Sequence, residues 1–190
     1  MKRTILIHAL IVGLAFISQG QNQTTVEVSY GSMKWEGCAA VGAYCLDGTL
    51  DISAAELTVS SDEIENANFS VDMSSLTSET KDLESHLKTR DFFHTKKFPE
   101  ASFNLDSHVK LQEGEQQVTG EMTIKGITKT VDFILQLFKE DATWRLKGEI
   151  FMNRVDFGIT YNSPSVYEKL KDQAIADEIK LEVEIQVTIK

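Results

Sequence analysis

Residues 118–137, VTGEMTIKGITKTVDFILQL, read as two strands folded on a tight turn. Val118, Met122 and Ile124 alternate with Thr119, Glu121, Thr123 and Lys125. Beyond Lys125-Gly126 the period resumes with Val131, Phe133, Leu135 and Leu137. A period of two turns one strand face to a core and the other to water. The same period continues outward in both directions. Ala67, Phe69, Val71 and Met73 share a face, as do Phe103, Leu105, Val109 and Leu111. Trp144, Leu146, Ile150 and Met152 form another face, and Leu181, Val183, Ile185, Val187 and Ile189 close the chain in the same way. Leu50 with Ile52, and Leu57 with Val59, make shorter pieces. Val26, Val28 and Tyr30 share one phase and Met33 and Trp35 the other, so a β-bulge is expected at the slip, Gly31-Ser32. Eight or nine half-apolar strands predict an all-β, antiparallel fold. A single sheet with one apolar face must cover it, and closure into a barrel also removes the edges.

Two segments leave this period. Leu83 and Leu87 lie four apart, with acids early and Lys88 and Arg90 late, which predicts a helix over residues 79–90. Val166, Leu170 and Ala174 predict a second, shorter helix over residues 165–176.

The chain of 190 residues has a formal charge of −10. Residues 1–20 read as a secretory leader: Lys2 and Arg3, an apolar run from Ile5 to Ile17, then Ser18-Gln19-Gly20. The run is shorter than the ~20 residues of a spanning helix, and no Cys follows it to carry a lipid. Residues 21–190 are then one exported domain, periplasmic or extracellular, with no membrane span. Without the leader, 17 basic residues face 29 acidic ones, a charge of −12. That sign excludes a nucleic-acid binder, which needs cations to displace counterions from phosphates. It equally opposes broad docking on anionic lipid.

Export gives the two cysteines meaning. Cys38 and Cys45 bracket AAVGAY and are expected to form a structural disulfide across a hairpin, stabilising by roughly 2–3 kcal/mol. A zinc site that adds His86 and His94 matches no ligand-spacing template. No nucleophile elbow, P-loop, Rossmann glycine run or H-E-x-x-H is present. No catalytic or metal-binding residues are therefore expected. The enzymatic alternative would rest on His86 or His94.

Residues 86–103, HLKTRDFFHTKKFPEASF, hold four of the ten phenylalanines and a cluster of cations. Phe92, Phe93, Phe98 and Phe103 either plug a barrel end or line a pocket. In the second case Lys88, Arg90, Lys96 and Lys97 form a cationic rim for an anionic or polar headgroup.

The run LESHLKTRDFFHTKKFPEASF resembles the signature of the YceI-like family, with its Asp-Phe-Phe and Phe-Pro-x-Ala-x-Phe elements. VTGEMTIKGITKTVDF resembles that family's hairpin, and NRVDFGI at 153–159 its Arg-x-Asp-Phe-Gly element. The strand with Trp35 and Gly37 fits as well. The resemblance implies an eight-stranded antiparallel lipocalin-like barrel in a bacterial exported protein. It further implies that the barrel holds an isoprenoid-type or other long-chain amphiphilic lipid, of the quinone or polyprenyl phosphate class, without catalysis or a cofactor. The expected tail contacts are Val28, Trp35, Phe69, Leu87, Phe92, Phe93, Phe98, Phe103, Met122, Ile124, Phe133, Trp144 and Ile150. The chain departs from the family at GAYCLDG, where members commonly carry a Gly-x-His-x-Gly element, and at Thr130, where Pro is common. The alternative is a stress-related or protein-interaction barrel with a packed core. The oligomeric state, a homodimer included, stays open at this point.

Overall fold

The computed structural model describes residues 23–26, 28–60 and 62–189. The leader predicted over residues 1–20 lies outside them. The chain forms β1 (Gln23–Val26), β2 (Val28–Ala39), β3 (Cys45–Ser60), β4 (Glu63–Asp72), α1 (Lys81–Leu87), β5 (Glu100–Leu105) and β6 (Val109–Lys110). It continues through β7 (Gly114–Ile124), β8 (Ile127–Glu140), β9 (Thr143–Asn153) and β10 (Ile175–Thr188). All pairings are antiparallel. Eight strands close in the order β2-β10-β9-β8-β7-β5-β4-β3, with β3 returning to β2. Short β1 pairs with the end of β3, and short β6 with the start of β4. The fold is an all-β closed barrel with one short helix.

The hairpin of residues 118–137 is β7 and β8, in register from Gly114↔Leu137 to Ile124↔Ile127. Its turn needs positive φ at both central residues, and Lys125 (52°) and Gly126 (75°) supply it. This twist matches that of the flanking strands. The buried residues fall into two clusters, one on Trp35, Leu87, Phe92, Ile124 and Ile150, the other on Leu57, Val118, Leu137, Trp144 and Val187. They occupy the two halves of the barrel interior.

The phase slip in the first long strand is a bulge, but not at Gly31-Ser32. Val187 pairs with Val28 and Gln186 with Tyr30, so Ser29 is the extra residue. Tyr30 therefore leaves the inward phase and stands half exposed. A second bulge lies in β3, where Val71 pairs with Ile52 and Ser70 with Ala54, leaving Ser53 extra. It explains why Leu50 and Ile52 change phase to Leu57 and Val59. The two bulges face one another and cancel, so the same register joins Val26↔Leu57 and Met33↔Leu50. Among the described residues, the ladder between the two strands is interrupted from Val28 to Ser32 against Asp51 to Glu56.

The predicted helix over 79–90 is shorter than expected. Thr80 Oγ1 caps it by accepting from Leu83 N at 3.3 Å. Glu84 is bracketed by Lys81 (2.8 Å) and Lys88 (3.0 Å). It stops at Leu87 because the next residues turn inward: Phe93 N donates to Leu87 O, and Phe92 is buried. The helix predicted over 165–176 does not form. Lys169 has φ +69° in its middle, where a right-handed helix has none. The segment is a series of turns ending in a 3-10 turn, Lys171–Gln173, and β10 begins at Ile175.

Candidate ligand cavity

The inward faces of the strands do not fill the barrel. A cavity of about 330 Å³ remains between the two clusters, within the ~300–1,000 Å³ range of small-molecule sites. Its wall draws on every barrel strand and on α1, and is almost wholly apolar. Ten of the expected tail contacts lie on it: Trp35, Phe69, Leu87, Phe92, Phe93, Phe103, Met122, Ile124, Phe133 and Ile150. Three do not. Val28 and Trp144 pack in the cluster at the far half of the barrel, and Lys139 Nζ covers the Trp144 ring at 5.3 Å. Phe98 turns outward over the β7–β8 turn, against Gly126, with His94 at 6.0 Å and Lys97 Nζ at 4.9 Å from its ring.

Aromatic packing and one glycine shape the wall. Phe103 stacks between Phe69 (6.3 Å) and Phe133 (5.7 Å, edge to face). The Trp35 indole donates to Thr77 O at 3.0 Å, passing over Gly48. A Cβ at Gly48 would lie 2.0 Å from that carbonyl, so only glycine fits. His86 meets Phe92 at 5.1 Å and Tyr161 at 4.9 Å, both edge-on, which makes it part of the aromatic cap over the barrel end.

The mouth can be located from exposure. Of the cavity-lining residues, Tyr44, Asp172 and Gln173 are exposed, and the rest are buried or half-buried. The mouth thus lies between the β2–β3 hairpin and the start of β10. Ala40 N donates to Ala174 O at 2.9 Å, and Ala39 pairs with Ile175, lacing the two segments together. Cys38 and Cys45 are bonded across that hairpin as opposed residues of the ladder. Among the described residues, the one cluster of metal-ligand types is Glu36, Cys38 and Cys45, whose thiols are spent in the disulfide. The zinc arrangement with His86 and His94 is not assembled.

The four expected rim cations stand away from the cavity wall. Lys88, Arg90, Lys96 and Lys97 do not line the cavity. Lys88 is held by Glu84, while Arg90, Lys96 and Lys97 are exposed on the outside of the cap. The cation that does reach the wall is Arg154, fully buried at 0% exposure. Its guanidinium donates to the carbonyls of Ala176 (3.0 Å), Ile159 (3.0 Å), Tyr161 (2.9 Å) and Ile175 (2.9 Å). Asp177 Oδ1 stands 3.4 Å from Nη2. The sequence displayed this residue within NRVDFGI but gave it no role. Tyr44, Asp172 and Gln173 were also missed, because turn segments carry no period.

Burial works to raise the Asp177 pKa, but hydrogen bonds from Ser163 and Ser165 and the Arg154 charge hold it below the usual 3.8. A carboxylate with a depressed folded pKa stabilises fully above its unfolded value, and the contribution is lost as pH falls through the folded value. Asp177→Asn is therefore expected to lower the urea midpoint at pH 7. The deficit should shrink steadily below pH 4. A deficit independent of pH would show that the carboxylate charge is not what stabilises.

A closed eight-stranded antiparallel barrel around an apolar cavity defines a lipocalin-like cavity barrel. The chain belongs to the YceI-like domain family, whose model matches residues 21–187. A UPF0312 protein of Pseudomonas putida strain W619 is 30% identical over 140 residues, 70% of this chain and 71% of that protein. Among solved structures, a polyisoprenoid binding domain from Saccharophagus degradans, implicated in plant cell wall breakdown, has a TM-score of 0.65 at 9% identity. It covers 87% of this chain and 98% of that one. BcnA of Burkholderia cenocepacia has a TM-score of 0.61 at 19% identity, over 82% and 96% of the two chains.

Proposed function

We propose that the protein binds a long-chain, isoprenoid-type lipid inside the barrel and performs no chemistry on it. The observation that carries this reading is the apolar cavity, walled by Trp35, Phe69, Phe92, Phe103 and Phe133 and open at one end. Burying an apolar chain there gains roughly 25 cal/mol per Å² removed from water, enough to drive binding without a covalent step. The polyisoprenoid binding domain of similar fold supports the ligand class. We further place the protein outside the cytoplasm, a reading supported by the Cys38–Cys45 disulfide and by the leader pattern of residues 1–20.

The direct test is to purify the protein from its native envelope, extract it with organic solvent and identify the released lipids by mass spectrometry. Stoichiometric long-chain lipid is the expected result, and a lipid-free extract from folded protein would overturn the reading. A filled cavity gives the second arm. Ala101 lines the wall on β5, and Ala101→Trp should cut recovered lipid on the order of tenfold while costing only about 1–3 kcal/mol of stability, as overpacking does.

A further inference from the structure

A lipid with a charged head must leave that head at the mouth or carry it inside, and among the described side chains lining the mouth there is one sign of charge. Asp172 is exposed and lines the opening beside Tyr44 and Gln173. The basic window of residues 88–97 is elsewhere. Arg154 reaches the wall, but four of its donors go to carbonyls and Asp177 stands against the same guanidinium end. Four of its five N–H groups are spent on carbonyls, and the remaining one, on Nη2, faces the Asp177 carboxylate at 3.4 Å, so a phosphate would have to compete with that charge. Among the described side chains of the cavity wall, Asp172 is the one exposed charge.

We propose that Asp172 makes the mouth a charge filter, so that the cavity takes a long apolar chain with an uncharged polar head and rejects the same chain bearing a phosphate. This rests on the lipid-binding reading above and narrows it. An anionic head brought to this mouth loses hydration without gaining a counter-charge from the described wall side chains, and it meets a carboxylate of like sign. A hydroxyl or carbonyl head loses far less and finds hydrogen-bonding partners in the Tyr44 hydroxyl and the Gln173 amide at the opening. Asp172 thereby sets specificity without touching the tail.

The test compares two probes that share one tail, geranylgeraniol and geranylgeranyl monophosphate. Each is titrated into delipidated protein by quenching of tryptophan fluorescence, Trp35 being on the wall. The wild type should bind the alcohol at least about tenfold more tightly than the phosphate, with the gap narrowing at high salt as screened charges require. Asp172→Lys should bring the two within about threefold by strengthening phosphate binding, and Asp172→Asn should fall between. Lys171→Ala, the neighbouring position, controls for a cation next in the chain and should leave the preference for alcohol intact. Equal or tighter phosphate binding by the wild type, or a ratio unmoved in both Asp172 variants, overturns the filter. If neither probe binds, the lipid reading itself falls, and the filter with it. Should a variant fail to fold by circular dichroism, the wild-type ratio and its salt dependence decide alone.

Discussion

Arg154→Met is expected to lower the unfolding free energy by about 3–5 kcal/mol, the usual consequence of removing one partner from a buried charged pair. The methionine fills much of the volume but donates nothing. Four carbonyls, of Ile159, Tyr161, Ile175 and Ala176, lose their donor together, and each buried orphan costs about 1–3 kcal/mol unless water reaches it. Asp177 loses the cation at 3.4 Å. A small domain has only about 5–15 kcal/mol in total, so the variant should unfold at far lower urea. Arg154→Lys should recover only part of the loss, because one ammonium cannot span carbonyls arranged around a planar fork. Adding Asp177→Asn to Arg154→Met separates the two causes. If the orphaned carbonyls dominate, the second change rescues little. A measured loss below about 1 kcal/mol would refute the clamp. The effect reaches the cavity as well, since Arg154 fixes the segment from Ile175 to Asp177 that borders the mouth.

Gly120→Ala should damage both the fold and the cavity. A Cβ there would lie 2.2 Å from Phe103 Cζ and 2.7 Å from the Asn104 carbonyl oxygen. The backbone oxygen cannot yield cheaply, and the ring can move only by disturbing Phe69 and Phe133 or by entering the cavity. Overpacking of this kind costs about 1–3 kcal/mol. The distinctive expectation is a joint loss: a lower melting temperature and weaker binding of an apolar probe, because the displaced ring occupies the ligand's space. Phe103→Leu placed in the Gly120→Ala background should restore part of the stability, the coupling expected of touching residues. Unchanged stability together with unchanged binding would show that Phe103 has free room.

The barrel was legible because alternation survives wherever one face is buried. The apolar sets led by Val118, Phe133, Leu146 and Ile185 all point inward as the period requires. Phase slips were legible as such, but their position was not. A bulge is set by the partner strand, and the extra residue Ser29 is identified only against β10. The helix over 165–176 failed because a run with apolar residues at helical spacing does not reveal that Lys169 will turn left-handed. The cavity wall was largely legible from the same inward faces. The mouth was not: Tyr44 and Asp172 are far apart in the chain and meet only through the pairing of β2 with β10. The window of residues 86–103 showed cations beside aromatics, but composition cannot say which way each one faces. Phe92 and Phe93 turn in, while Arg90, Lys96 and Lys97 face water.

The paired bulges at Ser29 and Ser53 leave the barrel's hoop incomplete. Along the seam of β1 and β2 with β3, the ladder is continuous on either side of this gap. Between Val28–Ser32 and Asp51–Glu56 the circuit is bridged instead by side-chain packing, with the Ile52 side chain lying against Gly31. Parting the wall there sacrifices apolar contact but no ladder bond, so the barrel can breathe along one line while its ends stay fastened by Val26↔Leu57 above and by Met33↔Leu50 and the disulfide below. Girth, in this molecule, has an adjustable seam between the two halves of that ladder.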